Sequence, residues 1–189
     1  MLGLGRKNEA RLWEALAAGE AAAVEGLIQQ EPDLAHSLAA KRTCKRCEEI
    51  PFGAMPLHVA AAQGHAGLAR TLLSAGADLE AATDDDQTPL HCAAEAGQRS
   101  MVKLLISKDA VVNSVDVNQR TPFHLAAKRG HDATAIVLLD AGTDVHKADN
   151  EGNTPLHCAV SGGCEQAVAS LLRQSVEVDA RNRRQRTPL

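Results

Sequence analysis

The amino-acid sequence predicts an all-α fold, a solenoid of stacked antiparallel helix pairs with β-turn or hairpin fingertips. Three observations predict it. The first is a tetrapeptide that returns every 33 residues: Met55-Pro56-Leu57-His58, Thr88-Pro89-Leu90-His91, Thr121-Pro122-Phe123-His124 and Thr154-Pro155-Leu156-His157. A strict period of this length marks a repeat architecture, whose units bury their apolar faces only against their neighbours. The second is a glycine at one fixed register of each unit, as Gly64, Gly97, Gly130 and Gly163. The third is a pair of apolar stripes per unit, both at helical spacing.

The segment 8–34 comes first and reads as a degenerate capping unit. Leu12, Ala15, Leu16, Gly19, Val24, Leu27 and Ile28 keep the spacing, but the tetrapeptide is absent and Arg11 stands where proline would be. Polar replacement on an outer face is what a terminal repeat requires. From Arg11 to Pro56 is 45 residues, 12 more than one period, so an insertion or long finger occupies 35–54. Full units follow at 55–87, 88–120, 121–153 and 154–186, and Thr187-Pro188-Leu189 begins a fifth at 187–189, all within a single domain, 1–189.

Inside a unit, the Thr88 hydroxyl can cap free backbone N–H groups, and Pro89 suits the first helical position because no donor is needed there. Leu90, Ala93 and Ala94 form the apolar face of this first helix. Gly97 ends it in a left-handed turn. The second helix carries Met101, Val102, Leu105 and Ile106; the matching stripes are Leu68, Ala69, Leu72 and Leu73, then Ala135, Leu138 and Leu139, then Val168, Leu171 and Leu172. Gly76 and Gly142 close it, with Asp109 and Ser175 in their place elsewhere. A short polar stretch, such as Thr83 to Gln87, leads to the next motif.

These residues resemble the ankyrin repeat family. Thr-Pro-Leu-His-x-Ala-Ala, the Gly64-His65 and Gly130-His131 pairs, and Gly76-Ala77-Asp78 carry the resemblance, which covers most of the chain. It implies a scaffold that binds another protein or peptide, with no catalysis of its own and no cofactor. The partner surface it implies is concave, lined by fingertips and inner helices.

Composition narrows the classes of partner. A net charge of −4 argues against bulk attraction to nucleic acid or anionic membrane. Only Trp13, Phe52 and Phe123 are aromatic, too few for base-stacking platforms. No apolar run suffices for a transmembrane helix, and the N-terminal residues lack a secretory signal pattern. Five cysteines do not look like a disulfide framework, so cytoplasm or nucleus is the expected setting.

Several features tempt a chemical reading. His58, His91, His124 and His157 recur with the motif, and His65 and His131 follow the helix-ending glycine. Equivalent histidines in stacked repeats lie too far apart to share a metal, and backbone hydrogen bonding explains them. Cys92 and Cys158 replace small apolar residues on the inner helices. Cys44-Lys45-Arg46-Cys47 lies in the insertion, with His36, Glu48 and Glu49 as the other conceivable ligands. Zinc needs four, and an exposed polar loop explains a single CxxC more simply.

Function is expected where the units differ. The fingertips read Asp84, Asp85, Asp86, Gln87; then Val117, Asn118, Gln119, Arg120; then Asn150, Glu151, Gly152, Asn153; then Arg183, Arg184, Gln185, Arg186. The first is acidic and the last basic. Lys128 and Arg129 add positive charge on the third inner helix. The expected partner therefore presents an acidic segment to the C-terminal half and a basic one near Asp84–Asp86. Asn113, His146 and Asp179 share a loop register that the family resemblance implies is open to hydroxylation.

The alternative reading is a regulatory or targeting domain of a larger enzyme, channel or effector whose activity lies beyond residue 189. No polar terminal unit follows the fourth repeat, so Leu171, Leu172, Val176 and Val178 are expected to be partly uncovered. That expectation favours a fragment of a longer array, and otherwise a monomer unless this end pairs with another subunit.

Overall fold

The computed structural model describes residues 2–36 and 53–189. Among them all regular structure is helical: α1 (Leu2–Ala18), α2 (Ala21–Gln30), a 3-10 turn (Pro32–His36), α3 (Pro56–Gln63), α4 (Ala66–Ser74), α5 (Pro89–Glu95), α6 (Arg99–Ile106), α7 (Pro122–Lys128), α8 (Asp132–Asp140), α9 (Pro155–Ser161) and α10 (Glu165–Leu172). Each proline of the motif sits in the first turn of its helix. Odd-numbered helices stack in one layer and even-numbered ones in a second, each against the equivalent helix of the neighbouring unit. α1 starts ahead of the expected capping unit, at Leu2.

Short inner helices stay helical because both ends are closed. The +70° to +80° φ angles of Gly64, Gly97, Gly130 and Gly163 turn the chain from inner to outer helix, in a region that other residues enter only at a cost. After the outer helix the same reversal is made by Gly76 and Gly142, but by Asp109 (φ 70°) and Ser175 (φ 54°) in the other two units.

One apolar core runs from Leu12 to Leu171. Ala60, Ala61, Ala93, Ala94, Ala126, Ala127 and Ala159 are fully buried along the inner layer, where small side chains let neighbouring helices approach. Trp13 and Phe123 are the largest fully buried side chains, and Phe52 lies outside the described residues. At the C-terminal end, Leu172 (46% exposed) and Val178 (42%) are uncovered and Val176 is half-buried. Leu171 departs from the expectation: it is fully buried, because it lies on the inward stripe with Ala167 and packs into the common core.

Candidate functional site

Each fingertip is a five-residue loop closed by its own first side chain. The Thr83 hydroxyl accepts the N–H of Asp85 (3.3 Å) and Gln87 (3.1 Å). Asp116 Oδ1 does the same for Asn118 and Arg120 (both 2.9 Å), and Asp149 Oδ1 for Glu151 and Asn153 (both 2.8 Å). Asn182 Oδ1 takes Arg184 (3.0 Å) and Arg186 (3.1 Å). Neighbouring fingers are joined by single backbone bonds, from Val117 N–H to the Asp85 carbonyl (3.1 Å), Asn150 to Asn118 (2.8 Å) and Arg183 to Glu151 (2.9 Å). With the backbone donors of the last three fingers paired within the loop or to the preceding finger, the tip side chains are displayed on a fixed frame.

The motif histidines anchor that frame to the helices. Nε2 of His58, His91 and His157 lies 3.0, 3.1 and 3.0 Å from the carbonyls of Gln87, Arg120 and Arg186, the last residue of each finger. Nδ1 accepts the backbone N–H at the start of its own helix, from Met55 at 3.0 Å and from Thr88, Thr121 and Thr154 at 3.2 Å. An Nδ1 that accepts leaves the proton on Nε2, so the neutral imidazole is the form that satisfies both ends. His124 keeps the Nδ1 bond, but its buried Nε2 has no hydrogen-bond partner. Burial pushes the pKa of His58, His91 and His124 below the ordinary value.

On this frame the sequence-predicted residues divide. Asp84, Asp85, Asn118, Asn150, Lys128, Arg183 and Arg186 are exposed, as is Val117 at 45%. Gln87 does not face a partner surface: it is buried, and its side-chain oxygen lies near the Cys92 thiol. Arg120 is also turned to the scaffold, its Nε and Nη2 at 2.7 and 2.6 Å from Oδ2 of the buried Asp116. Asn153 donates to Asp149 Oδ2 (3.0 Å) and accepts from Asn182 Nδ2 (2.8 Å). All three end their fingers, a register at which the fourth member, Arg186, stays exposed, so the tip sequence alone does not distinguish them. Arg129 is paired with Glu95 at 2.6 Å and Glu151 with Arg184 at 3.3 Å, both on the surface. The loop-closing Thr83, Asp116, Asp149 and Asn182 were the residues missed, although all four share one register and carry a side-chain oxygen.

The other candidates resolve differently. Asn113 bridges units, donating to the Gly142 carbonyl (2.9 Å) and accepting the Asp144 N–H (2.8 Å). His146 and Asp179 are exposed. His36 is exposed, and Cys44 and Cys47, the other zinc candidates, lie outside the described residues. Among the described residues no group of three His, Cys, Asp or Glu could hold a metal ion, and no helix is long and apolar enough to cross a membrane. Cys92, Cys158 and Cys164 are free and buried. Burial pushes the thiols of Cys92 and Cys158 up to about 12, and raises that of Cys164 as well. Iodoacetamide labelling followed by peptide mass spectrometry is expected to leave these three unmodified in native protein and to label them after unfolding. Rapid native labelling of Cys92 or Cys158 would contradict their placement.

Stacked helix pairs with side-chain-closed fingers define a repeat scaffold. The family described as "Ankyrin repeats (3 copies)" matches residues 12–116 and 109–183. The chain belongs to the ankyrin repeat family, whose members are generally protein–protein interaction modules and typically non-catalytic. No curated protein matches the chain.

Proposed function

We propose that the chain is an interaction scaffold or adaptor that holds a protein or peptide along its concave face, with the orientation set by charge. The observation that carries this reading is the contrast between the end fingers. Asp84, Asp85 and Asp86 are exposed and make no ion pair among the described residues, while Arg183 and Arg186 are exposed without a carboxylate partner there. Lys128, on the inner layer, adds an exposed cation. The partner presents acidic residues to Arg183, Arg184 and Arg186 and basic residues to Asp84 and Asp85. Charge of this kind sets specificity and association rate more than affinity. The setting is cytoplasmic or nuclear.

Affinity capture from a cell extract tests the reading. Wild type and an Arg183→Glu, Arg184→Glu, Arg186→Glu variant are compared with a surface-matched control, Glu177→Lys. Partners are expected to be lost from the triple variant and kept by the control. Equal capture by all three sinks the charge-directed orientation.

A further inference from the structure

We infer that the fingertip row also recognises a second copy of this chain, two rows meeting antiparallel about a two-fold axis. Asp84 and Asp85 of each copy then face Arg183 and Arg186 of the other. The inference rests on the reading of that row as the recognition surface and deepens it, because the required partner carries acidic and basic segments in reverse order. This chain's own tips carry them at the required spacing.

Three features support the geometry. The fingers are tied to one another by the Val117–Asp85, Asn150–Asn118 and Arg183–Glu151 backbone bonds, so the separation of first and last tips is a fixed property of the chain. A two-fold rotation reverses the order without changing that separation, so both end contacts form together, as an isologous interface requires. A parallel arrangement would set Asp on Asp and Arg on Arg, and charge therefore selects the antiparallel one.

The middle of the row does not oppose the pairing. The second finger would face the third of the other copy, placing Val117 and Asn118 against Asn150. Arg120 is withdrawn by its ion pair with Asp116. Glu151 is already engaged with Arg184, in a surface contact of 3.3 Å that costs little to exchange for an aspartate of the second copy.

Analytical ultracentrifugation of the full chain tests the pairing. The wild type is expected to dimerise reversibly, with the dissociation constant rising about tenfold or more as salt goes from about 50 mM to about 500 mM. Asp84→Lys with Asp85→Lys gives one variant, and Arg183→Glu with Arg186→Glu gives another. Each is expected to be monomeric, yet an equimolar mixture should form a one-to-one heterodimer, since each supplies the sign the other lacks. The far-UV circular dichroism of both should match wild type. A wild type that stays monomeric at low salt overturns the inference, and so does a dimer that both charge-reversed variants retain. Continued capture of an external partner by such a monomer would leave the proposed function standing.

Discussion

Replacing Gly162 by alanine is expected to destabilise the protein by about 3 kcal/mol, the upper part of the range for overpacking. A Cβ at that position would overlap the Ala127 carbonyl oxygen, with the Ala127 carbonyl carbon at 3.0 Å and the Gly130 nitrogen at 3.2 Å. All three are backbone atoms, so no side chain can swing away. Relief requires the last helix pair to move off α7, which costs contacts that join the fourth unit to the third. The Cys164 thiol lies 3.5 Å from that same Ala127 oxygen. Asp132 accepts the N–H groups of Gln166 (3.1 Å) and Ala167 (2.9 Å) at the start of α10, so it helps to close the outer helix of the neighbouring unit.

The adjacent Gly163 supplies the control. It has φ +70° but open space around its Cα, so Gly163→Ala carries only the left-handed strain, about 1–2 kcal/mol. Urea denaturation should rank Gly162→Ala as the more destabilised of the two, and Cys164 should be alkylated faster in it than in wild type. The reverse ranking would mean that the fourth unit is not packed as described.

That ranking runs against the sequence pattern, and the reason bears on what the sequence makes legible. Gly163 belongs to a register that is glycine in every full unit, and the period alone assigns it a left-handed turn. Gly162 occupies a register filled elsewhere by Gln63, Ala96 and Arg129, so nothing in the repeat marks it. Its requirement comes from the approach of α9 to α7, a distance set by packing. The helix pairs, their glycine turns and the structural use of the histidines were legible because they repeat at short range. Which tip charges remain available was not. Arg120, Arg129 and Arg184 look alike in sequence, yet each meets a carboxylate whose nearness depends on finger closure or on stacking of neighbouring units. The end charges of the candidate surface were legible and are exposed in the fold, and the division between paired and unpaired tip residues came only with the structure.

Acidification below pH 6.5 is expected to weaken the fold through three buried motif histidines, two of which, His58 and His91, also hold fingers. Burial is the largest influence on His58, His91 and His124, and it holds each below the ordinary value of 6.5. The charged groups facing them are Asp78 toward His58, Asp116 and Arg120 toward His91, and Asp149 and Asp116 toward His124. The aspartates favour protonation without overcoming burial. The unfolded chain therefore binds protons that the native chain excludes. The stability this confers is whole above the unfolded value and is lost as pH falls from 6.5 toward the folded values.

The limiting slope is about 1.4 kcal/mol per pH unit for each histidine. Geometry points the same way, since a proton added to Nδ1 of His91 would meet the Thr88 N–H that it now accepts at 3.2 Å. His91→Gln is expected to cost about 2–3 kcal/mol at pH 7.5, by leaving the Thr88 N–H and the Arg120 carbonyl without their partner. It should also flatten the dependence of the urea midpoint on pH between about 6.5 and 5. His124→Gln should cost less at pH 7.5, because Nε2 of His124 has no partner to lose, while flattening the acid limb comparably. His91 and His124 would be excluded as sources of acid sensitivity if both variants kept the wild-type slope. A single histidine that removed the whole slope would instead confine the effect to one unit, against the burial that His58, His91 and His124 share.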